Sequence, residues 1–524
     1  MTATMHRPRL RAGGDGFGQT LRAEWVKFRT VRGWVIGLLV AALAIVALGL
    51  GPSGQGSCGT RGPASDCTQL LGPGGEAVTD SFYFAHRPLD GNGTITVRVT
   101  SLAGQIPDFS GGGGGSGGPQ TRSGLVPWAK AGIIIKASTT QGSAYAAMMV
   151  TGGHGVRMQY DFTGDAPGLA GAVSAAAPRW LRLTRSGDTL TGYDSADGAH
   201  WTKVGAATLT GLPSTVQSGL FATSPPYWQA SGGGTSVTGG PSEATGAFDH
   251  VRLMGAWPNA AWAGTAIGDA GGPAAGSPGG FQDAAGGRFT VSGVGDIAPS
   301  VSGAAGLGVT ISQTLIGVFA GLIAVAVVGA MFMTAEYRRG LIRVTLAATP
   351  RRGRVLAAKA VVIAAVTFAV GLASSAIVVT LGQRVLRDHG VYVWPVTALT
   401  GARVIVGTAA VLAVASVLAL AIGTILRRGA GAVAAVIVII VLPYLLTVTT
   451  PLLPAGPTDW LARVTPAAAF AVQQTLIPYP QVANVYTPSA GYYPLAPWAG
   501  FAVLCAWAAA ALALAVYLLH RRDA

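Results

Sequence analysis

At 524 residues the chain is long enough for several domains, yet half of its residues are hydrophobic and only 11% are charged. With a mean hydropathy of +0.47 this excludes an ordinary soluble domain and makes a membrane protein the first expectation. The net charge of +14 and a pI near 10.1 would suit nucleic acid, but no recognisable nucleic-acid-binding module accompanies them, and the charge has a better explanation in membrane topology.

Residues 1–33 form a basic lead, with "LRAEWVKFRTVRGW" (Leu21 to Trp34) as an amphipathic helix lying ahead of the first apolar run. Runs of about 20 apolar residues, the length a bilayer core requires, occur six times. They cover Trp34–Leu50, Val309–Ala335, Ala360–Leu381, Val404–Leu426, Ala430–Thr449 and Trp498–Leu519, and none contains Asp, Glu, Lys, Arg or His. The first resembles a signal peptide in its basic flank, but the length of that flank and the absence of a small-residue cleavage site after Leu50 favour an uncleaved anchor.

Between the first two runs lies a loop of different texture. "TITVRV", "VRMQYDF" and "RWLRLTR" alternate apolar and polar residues as half-buried strands do, and "DGNG", "RSGDT" and "SADGAHW" supply hairpin turns. Residues 51–254 are therefore expected to be an antiparallel β-sandwich interrupted by Gly-rich loops at 110–119 and 231–240. Residues 255–307, rich in Gly, Ala and Pro, read as a tether back to the membrane, with "GRFTVSGVGDIAP" as a further strand or docking segment within it. Cys58 and Cys67 are close enough to close a small disulfide loop in an oxidising exterior, whereas Cys505 lies in the last apolar run and is expected only to pack there.

After the second run, "TAEYRRGLIRVTLAATPRRGRVLAAKA" places seven Lys or Arg against the single acid Glu336, between two uncharged stretches. Six spans put this segment, both termini and the Arg427–Arg428 turn on one side. That side carries 18 of the 35 basic residues against four acids and so holds the whole +14, which identifies it as cytoplasmic and places the sandwich outside the cell. Anionic headgroups of the lipid bilayer are the expected neighbours of this charge. "GYYPLAPW", just before the last span, reads as an interfacial aromatic belt.

Several chemistries lack their residues. No GxxxxGK[ST] loop is present to cradle ATP phosphates. The spans hold no ionisable residue to couple an ion gradient. The seven histidines are dispersed without metal-ligand spacing, so no metal site is expected. The loop's glutamates are only Glu76 and Glu243, without the E-x-D-x-x-E pattern of jelly-roll glucanases, and Asp194 and Asp197 sit in a predicted hairpin, so no catalytic pair is expected.

"AEYRRGLIRVTLAATPRRGRVLAAK" resembles the segment joining the second and third spans of type 2 ATP-binding-cassette (ABC) exporter permeases, and the Leu21–Trp34 lead is similar to theirs, with Glu24 and Lys27 at matching places. The closing "LLHRRDA" and the Ala, Gly and Arg bias resemble actinobacterial members. What this resemblance implies is a membrane-spanning permease half of a multi-domain membrane protein, in which residues 308–524 supply spans 2–6 and residues 335–360 dock onto a separate ABC ATPase subunit. ATP and Mg would be held there, with no cofactor on this chain. A second permease half, identical or different, would complete the pathway. Glu336, Tyr337, Arg338, Arg339, Gly340, Arg343, Pro350, Arg351, Arg352 and Lys359 form the implied coupling segment, with Glu24 and Lys27 on the interfacial helix.

"DSFYFAHRPLDGNGTITVRVTSL" and "RWLRLTRSGDTLTGYDSADGAHWTKVG" resemble a concanavalin-like jelly roll. In that fold Trp128, Tyr160, Trp180, Tyr193 and Trp201 are a candidate glycan platform, although aromatic residues at strand positions are more commonly core. The alternative function is a membrane-anchored receptor or adhesion protein that binds cell-wall glycan.

Overall fold

The computed structural model describes residues 16–51, 69–109, 120–231, 236–268, 279–284, 286–302, 308–348, 351–389, 391–448, 455–484 and 486–521. The chain divides into two compact units, one made of residues 1–64, 308–477 and 486–524, the other of residues 65–307 and 478–485.

In the first unit a lead helix, Phe17–Thr30, is separated from the next helix by Val31, whose extended backbone (φ −90°, ψ 98°) interrupts the helical run. Among the described residues, six helices are long and apolar enough to cross a membrane: span 1 Arg32–Leu50, span 2 Gly317–Arg338, span 3 Arg352–Asp388, span 4 Ala398–Leu426, span 5 Gly429–Leu446 and span 6 Pro497–Arg521. Spans 1, 3, 4 and 6 extend beyond the uncharged runs of the sequence, since a helix continues through the interface after its apolar stretch ends. Span 2 runs past Ala335 to Arg338 but begins at Gly317 rather than Val309, after the short separate helix Ile311–Thr314. Glu336 and Lys359 thereby fall inside helices rather than in the connection between them.

Span 4 is the most buried of the six and packs against spans 2, 3 and 6. Small residues permit the approach: a Cβ on Gly329 of span 2 would lie 2.5 Å from the Ser416 carbonyl oxygen of span 4. Single π-helical turns, Val378–Gly382 in span 3 and Ile437–Val441 in span 5, interrupt the regular hydrogen-bond ladder. Between spans 5 and 6 the 3-10 helix Pro466–Gln473 is buried along its whole length and lies against spans 4 and 6.

The second unit is an antiparallel sandwich. One eight-stranded sheet runs, edge to edge, Thr202–Thr208, Thr189–Ser195, Arg179–Ser186, Gly93–Pro107, Glu243–Gly255, Arg288–Val294 and Gly279–Ala284, with Thr121–Ser123 beside Gly93–Pro107. The other has seven strands in the order Ala263–Ile267, Phe82–Asp90, Thr215–Thr223, Lys130–Lys136, Tyr145–Thr151, Val156–Tyr160 and Gly164–Pro167. Inward-facing Ile95, Val97, Val99, Ile133, Ile135, Leu181 and Leu183 belong to one apolar core between them.

Residues 255–307 correct the expectation of a tether. They supply Ala263–Ile267, Gly279–Ala284 and Arg288–Val294 to the two sheets, and Ile297–Pro299 pairs with Val78–Asp80. Gly and Ala dominate the composition here, but Phe281 stacks on Phe289 at 5.9 Å and Trp262 lies 5.5 Å from Phe289, giving these strands an aromatic anchor. Residues 478–485 also belong to this unit, where Gln481 Nε2 donates to the Thr163 carbonyl at 3.1 Å and Asn484 Nδ2 to that of Ser302 at 2.9 Å.

Candidate functional site

The lead helix turns one face inward. Glu24 and Phe28, one turn apart, are buried, while Arg22, Trp25 and Arg29 are exposed. Span 2 places Glu336 in its last turns and ends at Arg338, with Arg339 as its cap. Gly340 follows at φ +67°, a left-handed position that glycine takes without strain. A short helix, Leu341–Ala348, then leads toward span 3, where Lys359 lies two turns inside and is fully buried.

These separate pieces converge on one cluster. Lys359 Nζ donates to Glu24 Oε2 at 2.6 Å and to Glu336 Oε1 at 2.7 Å. Lys27 Nζ donates to Glu24 Oε1 at 2.8 Å and reaches Glu336 Oε1 at 3.3 Å, with Thr345 Oγ1 at 3.5 Å. Two lysines thus bridge two carboxylates contributed by the lead helix and the end of span 2. Lys359 also lies 4.5 Å from the centroid of Phe332, whose ring meets Trp34 edge-on at 4.8 Å and Phe28 at 5.6 Å. This apolar floor keeps water away and strengthens the attraction within the cluster. Burial alone would lower the Lys27 pKa, but its hydrogen bond to Glu24 and the charges of Glu24 and Glu336 outweigh it, so the net shift is upward.

The arginines separate by environment. Arg338, Arg339 and Arg351 are exposed, whereas Arg352 Nη1 donates to the Leu519 carbonyl at the end of span 6. Tyr337 sits beneath the Arg427 guanidinium, 5.2 Å from its ring centroid. Pro350, Cys58, Cys67 and the side chain of Arg343 lie outside the described residues. Sequence reasoning named Glu24, Lys27, Glu336 and Lys359 but did not join them, and it gave no site role to Phe28, Phe332, Trp34 or Thr345. A charge at a helix end carries no mark of its partner, and Glu24 and Lys359 are 335 positions apart.

The five aromatic residues of the candidate glycan platform do not form one surface. Trp128 is buried, stacked on His154 at 4.0 Å, and Tyr160 lies on a strand of the seven-stranded sheet. Trp180, Tyr193 and Trp201 gather near the eight-stranded sheet, where the Arg182 guanidinium already covers Trp201 at 3.7 Å and His250 meets Trp180 edge-on at 5.4 Å. Asp194 accepts from the Leu169 amide at 2.6 Å, and Asp197 ties its own hairpin through the amides of Ala199 and His200. Asp197 therefore serves its own turn, whereas Asp194 lies in the strand Thr189–Ser195 and ties it to the bend at Leu169. Among the described residues, no group of three or more His, Cys, Asp or Glu is arranged to hold a metal ion.

A family model described as ABC-2 family transporter protein matches residues 133–524, well over half of the chain. The chain belongs to the ABC-2 transporter family. It is a membrane transport permease, and the cluster lies in its membrane-embedded unit. No curated protein matches the permease. Solved structures similar to part of it include a functionally unknown protein from Saccharomyces cerevisiae, at 17% identity over 33% of this chain and 75% of that one, TM-score 0.21. Another is the GH43 BlXynB protein from Bacillus licheniformis, at 17% identity over 31% of this chain and 27% of that one, TM-score 0.19. Scytalido-glutamic peptidase, bound to a peptide-based transition-state analog, matches at 9% identity over 41% of this chain and 98% of that one, TM-score 0.22. Scores this low carry no argument about activity.

Proposed function

We propose that the chain is the permease half of an exporter energised by a separate ATPase subunit, and that residues 335–360 together with the lead helix form the surface on which that subunit docks. The observation that carries this reading is the Glu24–Lys27–Glu336–Lys359 cluster, which ties the lead helix, the end of span 2 and the start of span 3 into one charged body. A push on the exposed basic segment beside it would reach three helices at once. Arg338, Arg339 and Arg351 are exposed and available to acidic groups of a partner. ATP and Mg would reside on that partner, a second permease half would complete the pathway, and the β-sandwich, of jelly-roll type, would project outside the cell. The basic surplus beside the spans supports this orientation. Family membership favours transport over a receptor that uses its spans only as an anchor.

The test is purification of the tagged permease from its native host in mild detergent, followed by identification of co-purifying chains. An ATPase subunit should be recovered, and lost when Arg338 and Arg339 are both replaced by Glu. A folded permease that brings no ATPase, even after crosslinking before extraction, would sink the reading.

A further inference from the structure

A cleft of about 500 Å³ opens in the β unit, lined by residues of both sheets. Four polar side chains, Arg87, Asp249, His250 and Arg288, face it together with four apolar ones, Val251, Leu253, Trp262 and Phe289. Its single carboxylate is already engaged. Asp249 takes a two-pronged pair from Arg98, at 2.7 Å from Nε and 2.6 Å from Nη2, and His250 Nδ1 lies 3.0 Å from its Oδ1. The arginines are thus left as the uncompensated charge of the lining.

The backbone is shaped around this cleft. Pairing between Gly93–Pro107 and Glu243–Gly255 runs from Asp249↔Arg98 to Arg252↔Thr96 with a shift of register, so the intervening residues bulge, and His250 takes a left-handed conformation at φ +51°. Bulges and strained non-glycine residues re-aim side chains and gather near binding sites. Arg87 Nη2 is anchored on the Pro258 carbonyl at 3.1 Å, and its guanidinium lies 5.8 Å from the Trp262 ring centroid. Its Nε is buried without a partner.

We propose that this cleft binds an acidic sugar, a carboxylate-bearing monosaccharide or glycan chain end, with Arg87 and Arg288 holding the carboxylate and the sugar ring lying against the Trp262 and Phe289 wall. An aliphatic anion would call for a narrower and mainly apolar channel, whereas an even mixture of polar groups and aromatic rings suits a hydroxylated ring. The assignment is independent of what the spans carry.

Saturation-transfer NMR and calorimetry on the full-length permease in nanodiscs would test it, with glucuronic acid as the probe and glucose as its uncharged counterpart. Glucuronic acid should bind saturably and glucose should not. Arg288→Gln, at an exposed position, should weaken binding by roughly 10-fold, as expected for one lost charge-assisted hydrogen bond. Arg87→Gln should weaken it at least as much, with the melting temperature checked so that a folding defect is recognised. Equal binding of glucose, no saturable signal through the millimolar range, or unchanged affinity in a folded Arg288→Gln protein would each overturn the proposal.

Discussion

Both units of the permease bury lysines against carboxylates, but they do so in different ways. In the β unit the pairs are one to one and anchored on backbone. Lys130 Nζ meets Asp296 at 2.6 Å and the Ile297 carbonyl at 2.8 Å, and Lys136 Nζ meets Asp80 at 2.7 Å and the Ser143 carbonyl at 3.0 Å. The carboxylates also accept main-chain amides, Asp296 from Ile297 at 2.8 Å and Asp80 from Gly142 at 2.7 Å. Asp80 ends and Asp296 immediately precedes the two strands Val78–Asp80 and Ile297–Pro299, so these pairs fasten that strip to Lys130–Lys136 of the seven-stranded sheet. In the membrane unit two lysines share two glutamates through side chains alone, from three helices. Backbone-anchored pairs cannot exchange partners without breaking the fold around them, whereas a side-chain network can. The first arrangement suits a rigid domain, the second a joint.

The largest expected effect comes from removing the shared cation. Lys359→Met leaves Glu24 and Glu336 buried with only the half-exposed Lys27 between them, and should destabilise the membrane unit by about 3–5 kcal/mol, the usual cost of breaking a buried pair. Thermal unfolding of the full-length protein in detergent measures it. Double variants sharpen the contrast. Lys130→Met with Asp296→Leu removes both charges and should recover the part of the stability that Lys130→Met loses by stranding Asp296, though the Ile297 amide and carbonyl still lose these partners. Lys359→Met with Glu336→Leu should recover less, because Glu24 loses its fully buried partner and keeps only the half-exposed Lys27. Full recovery in the second double variant would show that the cluster behaves as an isolated pair.

Close backbone approaches give a second comparison of smaller size. A Cβ on Gly219, in the sheet, would fall 2.0 Å from the Ala85 carbonyl oxygen, and one on Gly329, between spans 2 and 4, 2.5 Å from that of Ser416. Either Gly→Ala change should cost about 1–3 kcal/mol as overpacking. Gly219→Ala should cost more, since its clash is tighter and a strand paired on both sides has less room to shift than a helix. A larger loss for Gly329→Ala would mean that the helix contact is the more rigid of the two.

How much of this was legible beforehand follows from the range of each signal. The spans were readable because twenty adjacent apolar residues are a local pattern, and the strands at Thr94–Val99 and Arg179–Arg185 because alternation is local too. The strands within 255–307 were hidden because Gly-rich composition outweighed the short alternation at Arg288–Val294, and the paired sheet that stabilises them appears only in three dimensions. The cluster was missed for a related reason. Searching for uncharged runs ends each span where charge begins, which set Glu336 and Lys359 outside the helices that in fact carry them. The cleft was not legible at all, because its lining comes from segments as far apart in the chain as Arg87, Asp249 and Arg288.

The smallest effect distinguishes the two units at opposite ends of the pH scale. The hydrogen bond from Arg98 holds the Asp249 carboxyl below the usual carboxylate range despite partial burial, with His250 adding to the effect. A depressed acid binds its proton more readily in the unfolded chain. Its contribution to stability is therefore complete above about pH 4 and is lost as pH falls through the lower folded value. Lys27 is the reverse case. Its pKa is raised, so its contribution is complete below about pH 10 and is lost as pH rises through the folded value. Melting curves across pH should thus show an acid limb that flattens in Asp249→Asn and an alkaline limb that flattens in Lys27→Met. Between those limits neither group contributes a slope, because its protonation is the same in folded and unfolded chains. An acid limb unchanged by Asp249→Asn would mean that solvent screens the Arg98 pair, and would leave the backbone-anchored lysines as the main ionic ties of the β unit.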